Sequence, residues 1–495
     1  LVTEEYGVED YRTNWRYSLN DAVFNMIELL MDDRFGGWNS QGKGPLNIEI
    51  KSTVTHASPA TLVSLYRLTG SEELFERRAL PTIEFMLSRK IPHFTYQLED
   101  ADSDLYTTLG GPNTWYGAST YYALWELTDR LTPALYKYMW IRDGLVRTYS
   151  SEYAVPHFGE ELAGYLATGD PTLLETTLNS ARTYFQRRML APQREDLGLE
   201  PFFNHMFIPN WANFIDLYSL HPEDFILEGA KEGAHWQLTG IWTQPPVIDG
   251  SVQISLEEVL KYGVRTTWWY GDERFRLGFP LEADKILIEE VPAWVVSPVG
   301  LGFEQPITHM SSGGSLVLMS NWAADLVRLT ELTGDEIYRT FARNAVLGRF
   351  ANYPGYYVNH FSTIYMQPDF PYVGPDTTSI YYHHIIPQLA YTIDFLLAEA
   401  QYRSQGEIRF PWVRQQGYVW FSDRLYGHAP GQFFHYDRVW PWINREVLHL
   451  DNPAINYITG HNEEAFFVYL MNESPGNERV MVRWNENLLG LDTAE

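Results

Sequence analysis

The chain has 495 residues, 45% of them hydrophobic, which is more than one small core can use, so one large domain or two are expected. Its 36 basic and 63 acidic residues leave a net charge of -27, which repels a nucleic-acid backbone and argues against nucleic-acid binding as the main role. The absence of cysteine excludes disulfides, thiolate metal sites and cysteine nucleophiles, and no apolar run of about 18 residues is available to span a membrane.

The first residues lack a basic segment followed by an apolar one, so the expectation is that any leader has been removed or never existed. Helical periodicity begins at "NDAVFNMIELLMDD", where Val23, Ile27, Leu30 and Met31 recur at offsets of three and four, and continues in "ASPATLVSLYRLTG" and "PTIEFMLSRK". The joints are more specific. "LTGSE" around Gly70, "ATGDP" around Gly169 and "LTGDE" around Gly334 each place a glycine where a helix can end left-handed, followed by Ser or Asp able to cap the next. The three glycines are 99 and 165 residues apart, roughly two and three units of about 50 residues, the size of a two-helix hairpin. About six such hairpins would fill the chain to residue 405.

The stretch from about Thr243 to Thr308 interrupts this pattern with prolines, glycines and short alternating runs, and predicts strands and loops laid over one face of the helical body. Helices resume at "SLVLMSNWAADLVRLTELTG" and at "TSIYYHHIIPQLAYTIDFLLAEAQYR". After Ser404 the period changes to two, as in "GEIRFPWVRQQGYVWFSDRLYG" and "AFFVYLMNES", which predicts a small antiparallel β region. The expected organisation is therefore a helical domain over residues 1–405, with an insertion at about 243–308, and a β domain over 406–495. The final "NENLLGLDTAE" offers no closing strand, so the protein is expected to continue beyond Glu495.

Aromatic residues are abundant: 17 Trp, 33 Tyr and 26 Phe. Many must pack between helices, but pairs such as Trp115-Tyr116, Tyr121-Tyr122, Trp268-Trp269 and Tyr356-Tyr357 lie among polar and glycine residues, where a flat ring can stack on a sugar. The segment from Ala351 to Ala400 also gathers Asn359, His360, Tyr365, Tyr382, His383 and His384, with Arg349 just upstream. A helix capped by Thr378 or Ser379 would put Tyr382 and His383 in its first turn, facing a cleft at the positive end of the helix dipole. A second Asn-His pair, Asn204-His205, stands in a loop that runs past Trp211 into a helix. His56 precedes another helix, and "LGGPNTWYG" reads as a turn carrying Trp115 and Tyr116 into a subsite wall; it lacks the Lys-Ser/Thr ending of a phosphate loop. The plainer alternative is that these histidines line the core, satisfied by backbone carbonyls.

Taken together, the repeated TGD-type joints, the aromatic-rich loops and the trailing strand "AFFVYLMNES" resemble the (α/α)-toroid carbohydrate-active enzymes: the alginate-lyase and heparinase-like polysaccharide lyases and the six-hairpin glycosidases. "NHFSTIY" at 359–365 looks like a degenerate form of the Asn-Asn-His-Gly loop of toroid lyases, with Val358 and Phe361 in place of the first Asn and the Gly. The resemblance covers about Asn20 to Val482. It implies a mainly α chain, an (α/α) toroid of helical hairpins with a C-terminal antiparallel β segment, and a secreted or periplasmic enzyme that acts on a polysaccharide or oligosaccharide.

Eliminating a uronate-containing polysaccharide requires neutralisation of the carboxylate, a base for the adjacent proton and an acid for the leaving oxygen. Asn, Arg and protonated His can hold the carboxylate, and Tyr or His can exchange the protons. The expected roles are Asn204 or Asn359 on the carboxylate, His383 or His360 as neutraliser or base, and Tyr382 or Tyr365 as acid, with His205 beside them. Arg349, Trp211, Trp115, Tyr116 and His56 would bind substrate. The long-range charge of the chain works against a polyanion, so cationic groups must concentrate at the cleft.

A six-hairpin glycoside hydrolase is the alternative. It needs two carboxyl groups spaced for retention or inversion. Asp376 would serve with Glu160, Glu161, Asp216 or Glu228, although Asp376 is equally well placed to cap a helix. A glycan-binding protein without catalysis is the third possibility. No cofactor is required by any of these, His383 and His384 lack the spacing of a helical zinc motif, and a structural Ca²⁺ in an acidic loop stays open.

Overall fold

The computed structural model describes residues 18–31, 59–80, 83, 118–139, 158–190, 211–241, 251–255, 288–292, 322–346, 382–418 and 421–490. Within them the chain is mainly helical, followed by an antiparallel sheet. The helices are α1 (Leu19–Met31), α2 (Pro59–Thr69), α3 (Glu72–Leu74), α4 (Ala118–Leu127), α5 (Pro133–Met139), α6 (Gly159–Thr168), α7 (Pro171–Tyr184), α8 (Ala212–Leu220), α9 (Asp224–Leu238), α10 (Ala323–Thr333), α11 (Glu336–Val346) and α12 (Tyr382–Arg403). Both α3 and α7 run on into a π-helical turn, Phe75–Ala79 and Phe185–Leu190.

The joints at residues 70, 169 and 334 share one local solution. Gly70, Gly169 and Gly334 have φ of 69°, 69° and 73° and donate their N–H groups to Tyr66, Tyr165 and Thr330. The preceding Thr69, Thr168 and Thr333 each donate a hydroxyl proton 2.7 Å to the carbonyl four residues back. The same oxygen accepts the N–H of the residue two further on. Ser71, Asp170 and Asp335 then cap the next helix through Leu74, Thr172 and Ile337. Donors and acceptors that a helix end leaves unpaired are thus satisfied within five residues, which makes each reversal a property of the local sequence.

Successive helices pair as α2 with the α3 turn, α4 with α5, α6 with α7, α8 with α9, and α10 with α11. The even-numbered helices also pack on one another: α2 on α4, α4 on α6, α8 on α10, and α10 on α12. Phe158 at the start of α6 meets Phe214 of α8 edge-on at 4.8 Å, and α12 returns to pack on α1 and α2.

The strands are β1 (Ser251–Ser255) and β2 (Ile288–Pro292), an antiparallel pair within the interrupted stretch, then β3 (Ile408–Arg409), β4 (Trp412–Tyr418), β5 (Phe421–His428), β6 (Gly431–Phe433), β7 (Tyr436–Pro441), β8 (Leu448–Leu450), β9 (Ile455–His461), β10 (Phe466–Asn472) and β11 (Val482–Trp484). The main sheet has the order β10-β9-β7-β6-β3, with Phe466 opposite His461 and Ile408 opposite Phe433. The β4–β5 hairpin and the β8–β11 pair stand outside it.

Helices and sheet share buried residues on both sides of position 405: Leu65, Leu124, Leu326, Leu396, Ile408, Val439 and Ile458 belong to one apolar cluster. Polar contacts reinforce it. Asn456 Oδ1 accepts the Leu19 N–H at 2.8 Å, and Asn20 exchanges two 2.9 Å bonds with the Tyr457 backbone. No helix among the described residues is long and apolar enough to cross a membrane.

Candidate functional site

Two features meet on α12, the longest helix among the described residues. Tyr382 and His383 are the first two described residues of this helix; Thr378 and Ser379, the caps expected for it, lie outside the described residues. Pro387, one turn on, has no N–H to give the His383 carbonyl, so this first turn is tied less tightly to the rest of the helix. Lower down, Asp394 and Glu399 are each buried in a cluster of charges.

The Asp394 cluster joins α8, α10, α12 and the base of the β4–β5 hairpin. Arg328 of α10 donates to Asp325 Oδ1 at 2.9 Å and to both oxygens of Asp394, one at 3.0 Å. Its guanidinium lies over Trp412, with Cζ 3.6 Å from the ring centre. Arg414 of β4 forks onto two carboxylates, reaching Asp325 at 2.8 and 2.9 Å and Asp216 of α8 at 2.9 and 3.2 Å. Trp412 Nε1 adds a 2.9 Å bond to Asp216.

Three carboxylates therefore face two guanidiniums in a volume almost closed to water. Burial pushes the Asp394 carboxyl up, but the positive groups around it, Arg328 first and Arg414 with it, together hold the group below the ordinary range. For Asp216 burial wins and raises the pKa, with Asp325 adding to it against Arg414. His428 of β5 completes the cluster, its Nε2 3.3 Å from Asp394 Oδ1 without the alignment of a hydrogen bond. Burial lowers its pKa from 6.5 to about 4, although Asp394 pulls the other way.

A pH prediction follows for His428, which faces Asp394 of α12, Arg328 of α10 and Arg414 of β4. The unfolded chain binds a proton there below pH 6.5, while the folded chain resists it down to about pH 4. The stability held above pH 6.5 is thus lost as the pH falls through this window, by about 3 kcal/mol at 1.36 kcal/mol per unit. Urea titrations from pH 7 to 4 should show that loss in the wild type and a flatter profile in His428→Gln.

Several residues expected at a site stand elsewhere. Trp211 is not available to a sugar: it is 0% exposed, its Nε1 donates to the buried Gln237 at 3.0 Å, and Trp322 meets it edge-on at 6.0 Å. Helix α9 comes so close that a Cβ on Gly233 would lie 2.2 Å from the Trp211 Cβ, leaving no room for a ligand on that side. Asp216 and Glu228 are not a facing acid pair either. Asp216 is consumed by Arg414 and Trp412, whereas Glu228 is 57% exposed and paired with Lys231 at 2.7 Å. Glu160 and Glu161 lie in the first turn of α6, Glu161 half-buried.

His56, Trp115, Tyr116, Asn204, His205, Arg349, Asn359, His360, Tyr365 and Asp376 lie outside the described residues. Among the described residues no group of three or more His, Asp or Glu is arranged to hold a metal ion. The carboxylates that do converge are met by guanidinium groups.

Sequence reasoning missed Asp325, Arg328, Asp394, Trp412, Arg414 and His428. A signal was present: Asp394 interrupts the apolar run "AYTIDFLLAEA", and Asp325 with Arg328 interrupts "WAADLVRLT". A charge in the apolar stripe of a helix requires a buried partner. No protein-family model, no curated protein and no solved structure matches the chain.

Proposed function

We propose that this chain is a polysaccharide lyase that cleaves a uronate-containing anionic polysaccharide by β-elimination, on an (α/α) toroid of helical hairpins. What supports the toroid is the order of packing: five helical pairs follow one another, and α12 comes back to α1 and α2. What carries the lyase reading is the position of Tyr382 and His383 in the first turn of α12. The N–H groups of a helix's first turn, together with the dipole, favour a bound carboxylate. The body of that helix is anchored by Asp394 and Glu399 in buried ion clusters.

In this reading the uronate carboxylate is held by Asn204 or Asn359 and by the helix terminus. His383 or His360 takes the proton next to it, the electron pair forms a carbon–carbon double bond, and the glycosidic oxygen departs with a proton from Tyr382 or Tyr365. No water is added. The state of Asp216 and Glu228 counts against a hydrolase built on them, since one is consumed by an arginine and the other is spent on a surface ion pair.

The test is incubation with a panel of uronate polysaccharides, following both reducing ends and the ultraviolet absorbance of the unsaturated uronate. Both signals are expected to rise, and His383→Ala and Tyr382→Phe to lose at least about a hundredfold in kcat with melting temperatures unchanged. Reducing ends without absorbance would replace the lyase with a hydrolase. Binding without either signal would leave a glycan-binding protein.

A further inference from the structure

The main sheet ends in two unlike edges. At one, β3 is two residues long and carries the exposed Arg409; a short strand and a charge both keep an edge from pairing with another chain. At the other, β10 runs for seven residues, Phe466–Asn472, without a charge or a proline. A long apolar edge of this kind is a template for a further strand. Its neighbour β9 is buried from Ile455 to Gly460, whereas β10 is half-buried or exposed at every position except Met471.

The register tells which backbone groups face outward. Across the turn between β9 and β10, Asn462 donates its N–H to Ala465 at 3.1 Å, and hydrogen-bonded pairs recur at every second residue from there. These are Gly460 with Phe467, Ile458 with Tyr469 and Asn456 with Met471. Two bonds on the far side of β9 agree with this alternation: Thr459 accepts from the Trp442 N–H and Tyr457 donates its N–H to Asn20, both at 2.9 Å. The N–H and C=O groups of Phe466, Val468 and Leu470 therefore point away from β9, as does the Asn472 carbonyl, which accepts from Arg403 at 2.9 Å. Those of Phe466, Val468 and Leu470 have no partner among the described residues.

Apolar surface continues on both faces of this edge. Leu470 is 39% exposed, and Trp484 of β11, 47% exposed, stands edge-on to Phe466 at 6.1 Å. On the opposite face Phe434, 40% exposed, meets Tyr469 at 6.3 Å.

The strand is complementary to itself. Its three open positions are symmetric about Val468, which suits a two-fold antiparallel pairing with the same strand of a second copy. Val468 then lies opposite Val468 of that copy, Phe466 opposite its Leu470 and Phe467 opposite its Tyr469, so apolar meets apolar and aromatic meets aromatic. In a chain of net charge -27 this uncharged stretch is also where two copies approach with least repulsion. A stable interface buries at least about 1,200 Å², which a strand pair reaches by engaging side chains on both faces, here Trp484 and Phe434.

We propose that β10 is the interface of a symmetric dimer, in which it pairs antiparallel with β10 of a second copy and joins the two main sheets into one. This does not depend on the lyase reading.

Light scattering during size exclusion should give twice the chain mass of 57.4 kDa at micromolar concentration. Because the chain has no cysteine, Val468→Cys is expected to be joined to its copy by a short bifunctional thiol reagent, and Glu175→Cys on α7 to stay unlinked. Leu470→Lys changes an exposed position and sets a charge opposite Phe466 of the second copy. It is expected to raise the dimer dissociation constant at least about a hundredfold, with the melting temperature of the dilute protein unchanged. A wild-type protein that stays monomeric throughout would overturn the proposal and leave the edge to an extended segment of a different chain. So would a dimer that survives Leu470→Lys and is not linked through Val468→Cys, since its contact would lie elsewhere. If Leu470→Lys fails to fold, the cross-link decides.

Discussion

Replacing Arg414 with methionine is expected to lower the unfolding free energy by about 3–5 kcal/mol, the range for removing one member of a buried charge cluster. Methionine fills much of the volume, so the loss is electrostatic. Arg414 makes four hydrogen bonds to Asp216 and Asp325, and without it two carboxylates remain buried beside each other with Arg328 as the cation left in the cluster. They will relieve this by taking up protons. Burial already raises Asp216, and losing Arg414 raises it further.

A carboxyl whose folded pKa lies above its unfolded value contributes stability below the unfolded pKa and loses it as pH rises through the folded one. Arg414→Met should therefore be much weaker than the wild type at pH 8 and approach it towards pH 5, as read by urea midpoints. Adding Asp216→Asn and Asp325→Asn should recover a large part of the loss at pH 8, because an uncharged cluster has no unpaired ion. If Arg414→Met melted like the wild type at pH 8, the cluster would not be holding the hairpin among the helices.

The difference between what could and could not be seen in the sequence lies in the range of the interactions. The joints at Gly70, Gly169 and Gly334 were legible because Thr, Gly and the capping Ser or Asp satisfy one another within a few positions. The strands after Ser404 were legible for the same reason, since their period of two needs no distant partner. Trp211 was misread because its setting comes from Gln237 and Trp322, residues its own loop does not contain. The Asp394 cluster was overlooked because Asp216, Asp325, Asp394 and Arg414 are up to 198 positions apart, so their pairing exists only once the helices have met. Tyr382 and His383 differ from both cases: the helical period that follows them was readable locally, whereas the caps expected before them, Thr378 and Ser379, lie outside the described residues.

Glu399→Gln is expected to cost about as much, about 3–5 kcal/mol, at the other end of α12. Glu399 Oε1 accepts from Arg339 Nε at 2.8 Å, while Oε2 accepts from Arg339, Arg343 and Arg403 at 2.9, 3.0 and 2.9 Å. Arg343 and Arg403 also reach Glu473, whose Oε1 accepts from Asn456, the residue that receives the Leu19 N–H. The cluster thus ties α11, α12, the end of β10, β9 and α1. An amide keeps the shape of Glu399 but leaves three guanidiniums facing one carboxylate. Burial pushes the Glu399 carboxyl up, but the arginines prevail and hold it far below 4.5. Its stabilising contribution is present above the unfolded pKa and lost as the pH falls through the folded one, so acid unfolding below about pH 4.5 should be shallower in Glu399→Gln. Seventeen residues, about 25 Å of helix, separate this cluster from the first turn of α12. Glu399→Gln should accordingly lower the melting temperature while leaving kcat/KM for elimination near the wild-type value well below the melt. A fall in kcat/KM under those conditions, with folding intact, would mean that the lower cluster sets the position of Tyr382 and His383 as well as the stability of the helix that carries them.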